Sequence, residues 1–204
     1  MGQIVAVAVI TVLAVISPGA DFAMITRNSY LYGRGAGVFA ALGISLGVLV
    51  HVTYTILGVG LVLTRTPVLF TVVKVVGACY LIWIGHKTFS ARAQSGSGPD
   101  GTAAGLSRLQ SLRTGFLTNA LNPKTMLFVL STFSQVVHHD TPLAQQIGYG
   151  LFMSLAHLIW FTLAACLFSV PALRTRMLDR QRGLNRTIGS VLVALGLSLI
   201  FVSA

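Results

Sequence analysis

The sequence predicts an all-α polytopic membrane protein: six transmembrane helices as a 3+3 inverted repeat, with helices one and four broken or kinked. Three observations predict it. First, hydrophobic residues are 54% of the 204 and charged residues only 9%, against about 25% charged in a typical soluble chain. Mean hydropathy is +0.82, and too few polar groups exist to coat a water-soluble globule. Second, the apolar residues gather into runs of roughly 20, the length that crosses a hydrocarbon core. Third, the 14 Lys+Arg face only four acidic residues, and the basic ones fall mostly in short stretches between the runs. The same composition excludes a disordered chain and a coiled coil. It also makes the pI near 10.7 a topology signal, so no nucleic-acid partner is expected.

The first span runs from about Ile4 to Ile25 and is interrupted by Ser17-Pro18-Gly19-Ala20-Asp21. No Lys or Arg precedes Arg27, so the segment lacks the basic region of a signal peptide and is read as a retained helix. The second span, about Gly35–Leu63, is uncharged and holds His51 and the motif Gly43-Ile-Ser-Leu-Gly47, which allows close helix packing. The third, about Pro67–Gly85, contains Lys74, placed to snorkel to the outer interface. Ser90–Ser111, with Ser-Gly-Ser-Gly-Pro-Asp-Gly at 95–101, is a flexible polar linker. The fourth span, about Gly115–Val137, contains Asn122-Pro123-Lys124; the fifth, about Pro142–Val170, contains His157; the sixth is about Thr187–Ala204. The chain is thus one transmembrane domain, 1–204, divided into a three-helix repeat at 1–89, a cytoplasmic linker at 90–111 and a second repeat at 112–204.

Loops one, three and five carry eleven Lys and Arg, whereas the opposite side has only Arg65. This places those loops in the cytoplasm and both termini outside, as in a multi-pass membrane protein. Three spans per half put the halves in opposite orientations, which is the arithmetic of an inverted repeat. Ser17-Pro18-Gly19 corresponds to Asn122-Pro123-Lys124, His51-Val52-Thr53-Tyr54 to His157-Leu158-Ile159-Trp160, and Lys74-x-x-Gly77 to Arg186-x-x-Gly189.

Proline within a helix removes a backbone hydrogen bond and clashes with the preceding turn. In hydrocarbon the freed groups must find partners or line a wet cavity. Pro-interrupted segments at corresponding positions of two halves point to a transporter binding site; the alternative is a pair of packing kinks. Gly19 lets the backbone unwind further. Asp21 is the one acidic residue in any predicted span. It is suited to hold a substrate ammonium, to pair with Lys124 or to carry a proton, or else it caps a broken helix at the interface. Lys124 is the matching cation for a carboxylate, and Asn119 and Asn122 add amides to the same segment. His51 and His157 are either helix–helix hydrogen bonders or proton carriers.

No nucleotide, zinc-protease or nucleophile-elbow motif is present, so transport would be secondary. Four acidic residues are too few for a carboxylate metal cage, and neither a metal nor a cofactor is expected. Cys79 and Cys166 each lie within an apolar run and read as small hydrophobes.

Ser17-Pro18-Gly19-Ala20-Asp21, Gly33-x-Gly35-x-Gly37, Gly77-Ala78-Cys79-Tyr80-Leu81-Ile82-Trp83-Ile84-Gly85 and Asn119-x-x-Asn122-Pro123-Lys124 together resemble the lysine exporter (LysE/RhtB) superfamily of bacterial amino-acid exporters over nearly the whole chain. Phe116-Leu117-Thr118-Asn119 and Trp160-Phe161-Thr162 look closest to its threonine/homoserine branch. Where the family reads Pro-Gly-Pro, Ala20 replaces the second proline, which implies a milder break. The resemblance implies export of small amino acids by proton antiport. The substrate site is expected at Pro18, Gly19, Asp21, Asn119, Asn122, Pro123 and Lys124, and proton coupling at Asp21, His51 and His157. The expected partners are the amino acid, protons, the lipid bilayer and, as an open possibility, further copies of the chain. The alternatives are a membrane thiol or electron carrier, another small-solute transporter, and an intramembrane enzyme, for which no nucleophile–base set is visible.

Overall fold

The computed structural model describes residues 2–17, 19–58, 67–91, 106–137 and 141–200. Every regular element among them is an α-helix: α1 Gly2–Ile16, α2 Ala20–Tyr32, α3 Arg34–Ile56, α4 Pro67–Phe89, α5 Arg108–Ala120, α6 Pro123–Val136, α7 Leu143–Phe168, α8 Pro171–Asp179 and α9 Gln181–Ile200. The expected linker segment at 95–101, Arg65 and Pro18 lie outside the described residues, as does the side chain of Lys74.

α3 and α7 are each long and apolar enough to cross a membrane, and α1 with α2, inclined at 55° across their break, make a third candidate span. The expected third, fourth and sixth spans fall on α4, on α5 with α6, and on α9. α5 has 13 residues and α6 has 14. At about 1.5 Å per residue, neither crosses a ~30 Å core alone.

α1 shows why this chain needs lipid. Val7, Thr11 and Val15 form a buried stripe at four-residue spacing, while Ile4, Val5, Val9, Val12, Leu13 and Ile16 are exposed. On α7, Leu151, Leu155, Ile159 and Leu163 are exposed in the same way. In water so large an apolar surface would drive aggregation; in a bilayer it meets acyl chains.

α2 is the opposite case, a polar helix in the interior. Asp21, Thr26, Asn28, Ser29 and Tyr30 are all buried. Its C-terminal end is fixed from elsewhere in the chain. Gly33 adopts φ +86° and its N–H bonds to the Ser29 carbonyl, a left-handed cap that favours glycine. Arg174 on α8 donates to the carbonyls of Tyr30 and Leu31 at 3.1 and 3.3 Å, placing a cation at the negative end of the helix dipole. Tyr30 Oη donates to Asn185 Oδ1 at 2.6 Å, joining α2 to α9.

α3 packs most extensively on α5 and on α7, and α4 on α9. The expected close packing at Gly43 and Gly47 occurs between α3 and α5. A Cβ on Gly43 would lie 2.0 Å from the Leu112 carbonyl oxygen, and one on Gly115 would lie 2.1 Å from that of Ala40. The backbones therefore touch, and only hydrogen fits between them. Gly47 carries the contact on to Asn119 and Ala120, so the second half of the chain is held against the first up to the end of α5, where that helix breaks.

α5 begins at Arg108, seven residues before the expected fourth span and within the expected linker. The reason is a capping box: Ser107 Oγ accepts from the Gln110 N–H, and Gln110 Oε1 accepts from the Ser107 N–H. α8 is a second addition, a nine-residue helix in what the charge pattern marks only as a basic loop.

Candidate functional site

The two breaks face each other, and each supplies what the other lacks. Asp21 lies in the first turn of α2. Its Oδ2 accepts from Asn119 Nδ2 at 2.9 Å and from Asn122 Nδ2 at 3.2 Å, 98 and 101 residues away in sequence. In return, Lys124 Nζ donates to the Ser17 carbonyl at 2.8 Å. The break after α1 frees that carbonyl, and a cation from the opposite break satisfies it.

Asn122 has two roles. Its Oδ1 accepts from the Lys124 backbone N–H at 3.0 Å, which caps α6, while its Nδ2 holds Asp21. Pro123 is the first residue of α6, where its missing N–H costs nothing and its fixed φ suits the turn. The sequence reading left the fourth span either broken or kinked at Pro123; it is a break, where α5 stops and a capped α6 starts. Gly19 is extended, with φ −173°, a conformation open to any residue. A Cβ there would meet Lys124 Nζ at 3.5 Å, an ordinary contact, so the break does not require glycine at this position. Pro18 lies outside the described residues.

Asp21 is 6% exposed, and its Oδ1 has no hydrogen-bond partner. The α2 dipole favours a carboxylate in the first turn. Its Oδ2 is held by Asn119 and Asn122 and its Oδ1 by nothing, so the side chain is engaged with the opposite break. Asn119 Nδ2 also donates to Thr125 Oγ1 at 3.2 Å. An ionised carboxylate only accepts, so both asparagines must turn their NH₂ groups toward it.

A cavity of about 20 Å³ opens beside this network, lined by Ser17, Gly19, Asp21, Asn122, Lys124, Thr125 and His157, with Phe22, Phe128 and Phe161 among its apolar walls. That is room for about one water. His157 Nδ1 lies 2.8 Å from the Met153 carbonyl. A carbonyl only accepts, so Nδ1 carries the proton and Nε2 of the neutral ring keeps its lone pair. His51 is not a lining residue of this cavity. It sits behind it, with Nε2 2.9 Å from the Asn119 carbonyl and Nδ1 2.5 Å from Tyr54 Oη. The Nε2–H donates, so in the neutral ring Nδ1 accepts from the tyrosine. His51 thus ties α3 to the end of α5 where the helix stops.

The structure therefore brings together Gly19, Asp21, Asn119, Asn122, Pro123, Lys124 and His157, with His51 supporting Asn119. Sequence reasoning missed Thr125, the Ser17 carbonyl and the three phenylalanines. Thr125 directly follows the Asn-Pro-Lys run, a proximity that could have nominated it. Among the described residues no group of His, Cys and Asp is placed to hold a metal. Cys79 and Cys166 are free thiols on α4 and α7 and neither lines the cavity.

The family described as LysE type translocator matches residues 12–203. Relatives include a threonine efflux protein of Salmonella typhi, 29% identical with 95% of each chain covered. A homoserine/homoserine lactone efflux protein of Salmonella typhimurium is 26% identical, over 89% of this chain and 87% of the relative. An uncharacterized membrane protein, YahN, of Escherichia coli is 30% identical, over 93% and 85%. No solved structure matches significantly. With paired helix breaks around a buried carboxylate, and a family match across nearly its full length, this chain belongs to the LysE type translocators, membrane transporters and not enzymes.

Proposed function

We propose that the protein exports small neutral amino acids of the threonine/homoserine kind across the bacterial inner membrane, by proton antiport. The observation that carries the reading is Asp21, buried between the two breaks with Oδ2 held by two amides and Oδ1 unpartnered. A carboxylate so placed can accept a proton or a substrate ammonium at Oδ1, but not both. That exclusivity is what an antiporter needs. A proton arriving from outside displaces the ammonium, and its departure to the cytoplasm readmits the next substrate. Lys124, with backbone groups of the breaks, is placed for the substrate carboxylate. The relatives' names supply the substrate class.

The same reading takes the chain as a 3+3 inverted repeat of six spans. In support, α3 pairs with α7 and α4 with α9, each uniting corresponding spans of the two halves, and the two breaks meet. A cavity of about 20 Å³ admits a water and not an amino acid, so transport requires α1–α2 and α5–α6 to part, alternately toward each side.

The test is efflux from vesicles reconstituted with the full chain. An imposed pH gradient should drive L-threonine or L-homoserine uphill in the wild type, and Asp21→Asn should abolish the gradient-driven component. Transport indifferent to the gradient would refute antiport, and no movement of either amino acid would refute the substrate class.

A further inference from the structure

A second cavity, about 380 Å³, lies between α2, α4 and α5 and shares no lining residue with the one around Asp21. Its walls carry the cations Arg27, Lys87 and Arg113 and, among the described residues, no acidic one. Asn28 and Thr88 also line it. Asn28 is 0% exposed with both Nδ2 and Oδ1 unpartnered, and Thr88 is 1% exposed with its Oγ1 unpartnered. Buried polar groups are ordinarily satisfied, and each exception calls for an explanation. Here the unsatisfied groups lie just beneath the wall of a space large enough for a small molecule, and a shift of side chains would bring them within its reach.

The chemistry of the walls selects an anion. Guanidinium forks bind a carboxylate in a bidentate manner, and Asn28 Nδ2 and the Thr88 hydroxyl add neutral donors. Lys87 Nζ rests 5.3 Å from the centre of the Trp83 ring, so an aromatic face holds the ammonium at the wall. Asn28 Oδ1 remains as an acceptor for an α-ammonium. A second positive charge on the ligand would meet three cations with no counter-charge among the described lining residues.

Placement gives the site its purpose. Asn28 follows Asp21 on α2 by seven residues, about 10 Å along the axis, and Arg113 precedes Asn119 on α5 by six, about 9 Å. The second cavity is therefore set along α2 and α5 from the contact between Asp21 and Asn119, with α2 lining both cavities. The second lies toward loops one and three, which the positive-inside rule assigns to the cytoplasm.

We propose that this cavity is a cytoplasmic vestibule that captures an amino acid by its α-carboxylate and rejects those with a cationic side chain. The proposal rests on the export reading for its ligand and on its own geometry for the anion site.

The test uses the full chain in nanodiscs of phosphatidylcholine. Its two tryptophans reduce to Trp83 alone in a Trp160→Phe background, so emission reports this cavity. L-Threonine should give a saturable change in Trp83 emission, and L-lysine should bind at least about tenfold more weakly. Arg113→Gln and Lys87→Gln alter exposed side chains, so their folding is not at risk; each should weaken L-threonine about tenfold and narrow the gap to L-lysine. Asp21→Asn should keep the signal, because it acts in the other cavity. No saturable change, or equal binding of L-lysine, overturns the proposal. So does a Trp83 response that appears only when phosphatidylglycerol is added and ignores amino acids, which would make the cavity a lipid-headgroup site. Intact threonine efflux with a silent Trp83 would sink the vestibule alone. A threonine-selective Trp83 signal in a protein that exports nothing would sink the export reading and leave the carboxylate site standing.

Discussion

An ionised carboxylate offers about four lone-pair directions, and Asn119 and Asn122 occupy two of them on one oxygen of Asp21. The amide of Asn119 or Asn122 can be removed without touching the carboxylate. Asn119→Ala or Asn122→Ala leaves Asp21 Oδ2 with a single donor, at a cost of about 1–3 kcal/mol, and should slow efflux while the protein still inserts. Asp21→Asn differs: it keeps the size and removes the titratable group, so gradient-driven efflux should vanish while the thermal midpoint in detergent changes little. A mutant that still couples to the gradient would move the proton site to His157 or His51. Asp21 was legible in the sequence because a lone acid in an apolar span is costly. Asn119 and Asn122 were legible as amides of the site but not as the partners of Asp21, because the bonds reach across 98 and 101 residues and local spacing says nothing about such pairs. The Ser17 carbonyl carries no side-chain signal at all.

At the scale of the helices, the break between α5 and α6 is held by a cap and not by proline alone. Pro123→Ala restores an N–H at a position whose N–H has no intrahelical acceptor. The break should persist, and efflux should fall less than twofold, about the effect of a few tenths of a kcal/mol. Asn122→Ala removes the cap as well as the bond to Asp21 and should lower stability by about 1 kcal/mol more than Asn119→Ala, read as a larger fall in the thermal midpoint. If Pro123→Ala instead abolishes efflux and raises the midpoint, the helices have fused and proline is the breaker after all. Gly43 gives a complementary test. Gly43→Leu sets a side chain against the Leu112 carbonyl, where even a Cβ would lie 2.0 Å away, and should cost about 1–3 kcal/mol or more. Gly35→Leu, with nothing within 4 Å of its Cβ position, should be tolerated. The small-residue motif on α3 announced this contact, but its partner Gly115 follows only from the packing. The start of α5 was hidden because a capping box inside a polar stretch looks like linker, and α8 because five arginines between Arg174 and Arg186 mark a loop before they mark a helix.

For the whole molecule, exchange of sides demands that the reciprocal contacts between the breaks open, since Asp21 to Asn119 and Asn122 and Lys124 to Ser17 together close the cavity to about 20 Å³. The charge asymmetry predicts which side is which: maleimide labelling of single cysteines at Ala204 and Ser97 should find the first outside and the second inside. The motion itself can be caught by covalent closure. Cys79 and Cys166 are the only cysteines, and replacing both with Ser should leave efflux intact, which a thiol or electron carrier could not survive. In that background, Gly19→Cys with Lys124→Cys places two thiols where a Cβ on residue 19 already reaches within 3.6 Å of Lys124 Cδ. The pair also removes the Lys124 ammonium, so the single Lys124→Cys protein sets the reference rate. Relative to it, a short bifunctional thiosulfonate should stop efflux in the double variant and leave the single variant running, and a reductant should restore the rate. A cross-linked protein that still transports at the reference rate would show that the two breaks stay together throughout the cycle, and the path of the substrate would have to lie elsewhere.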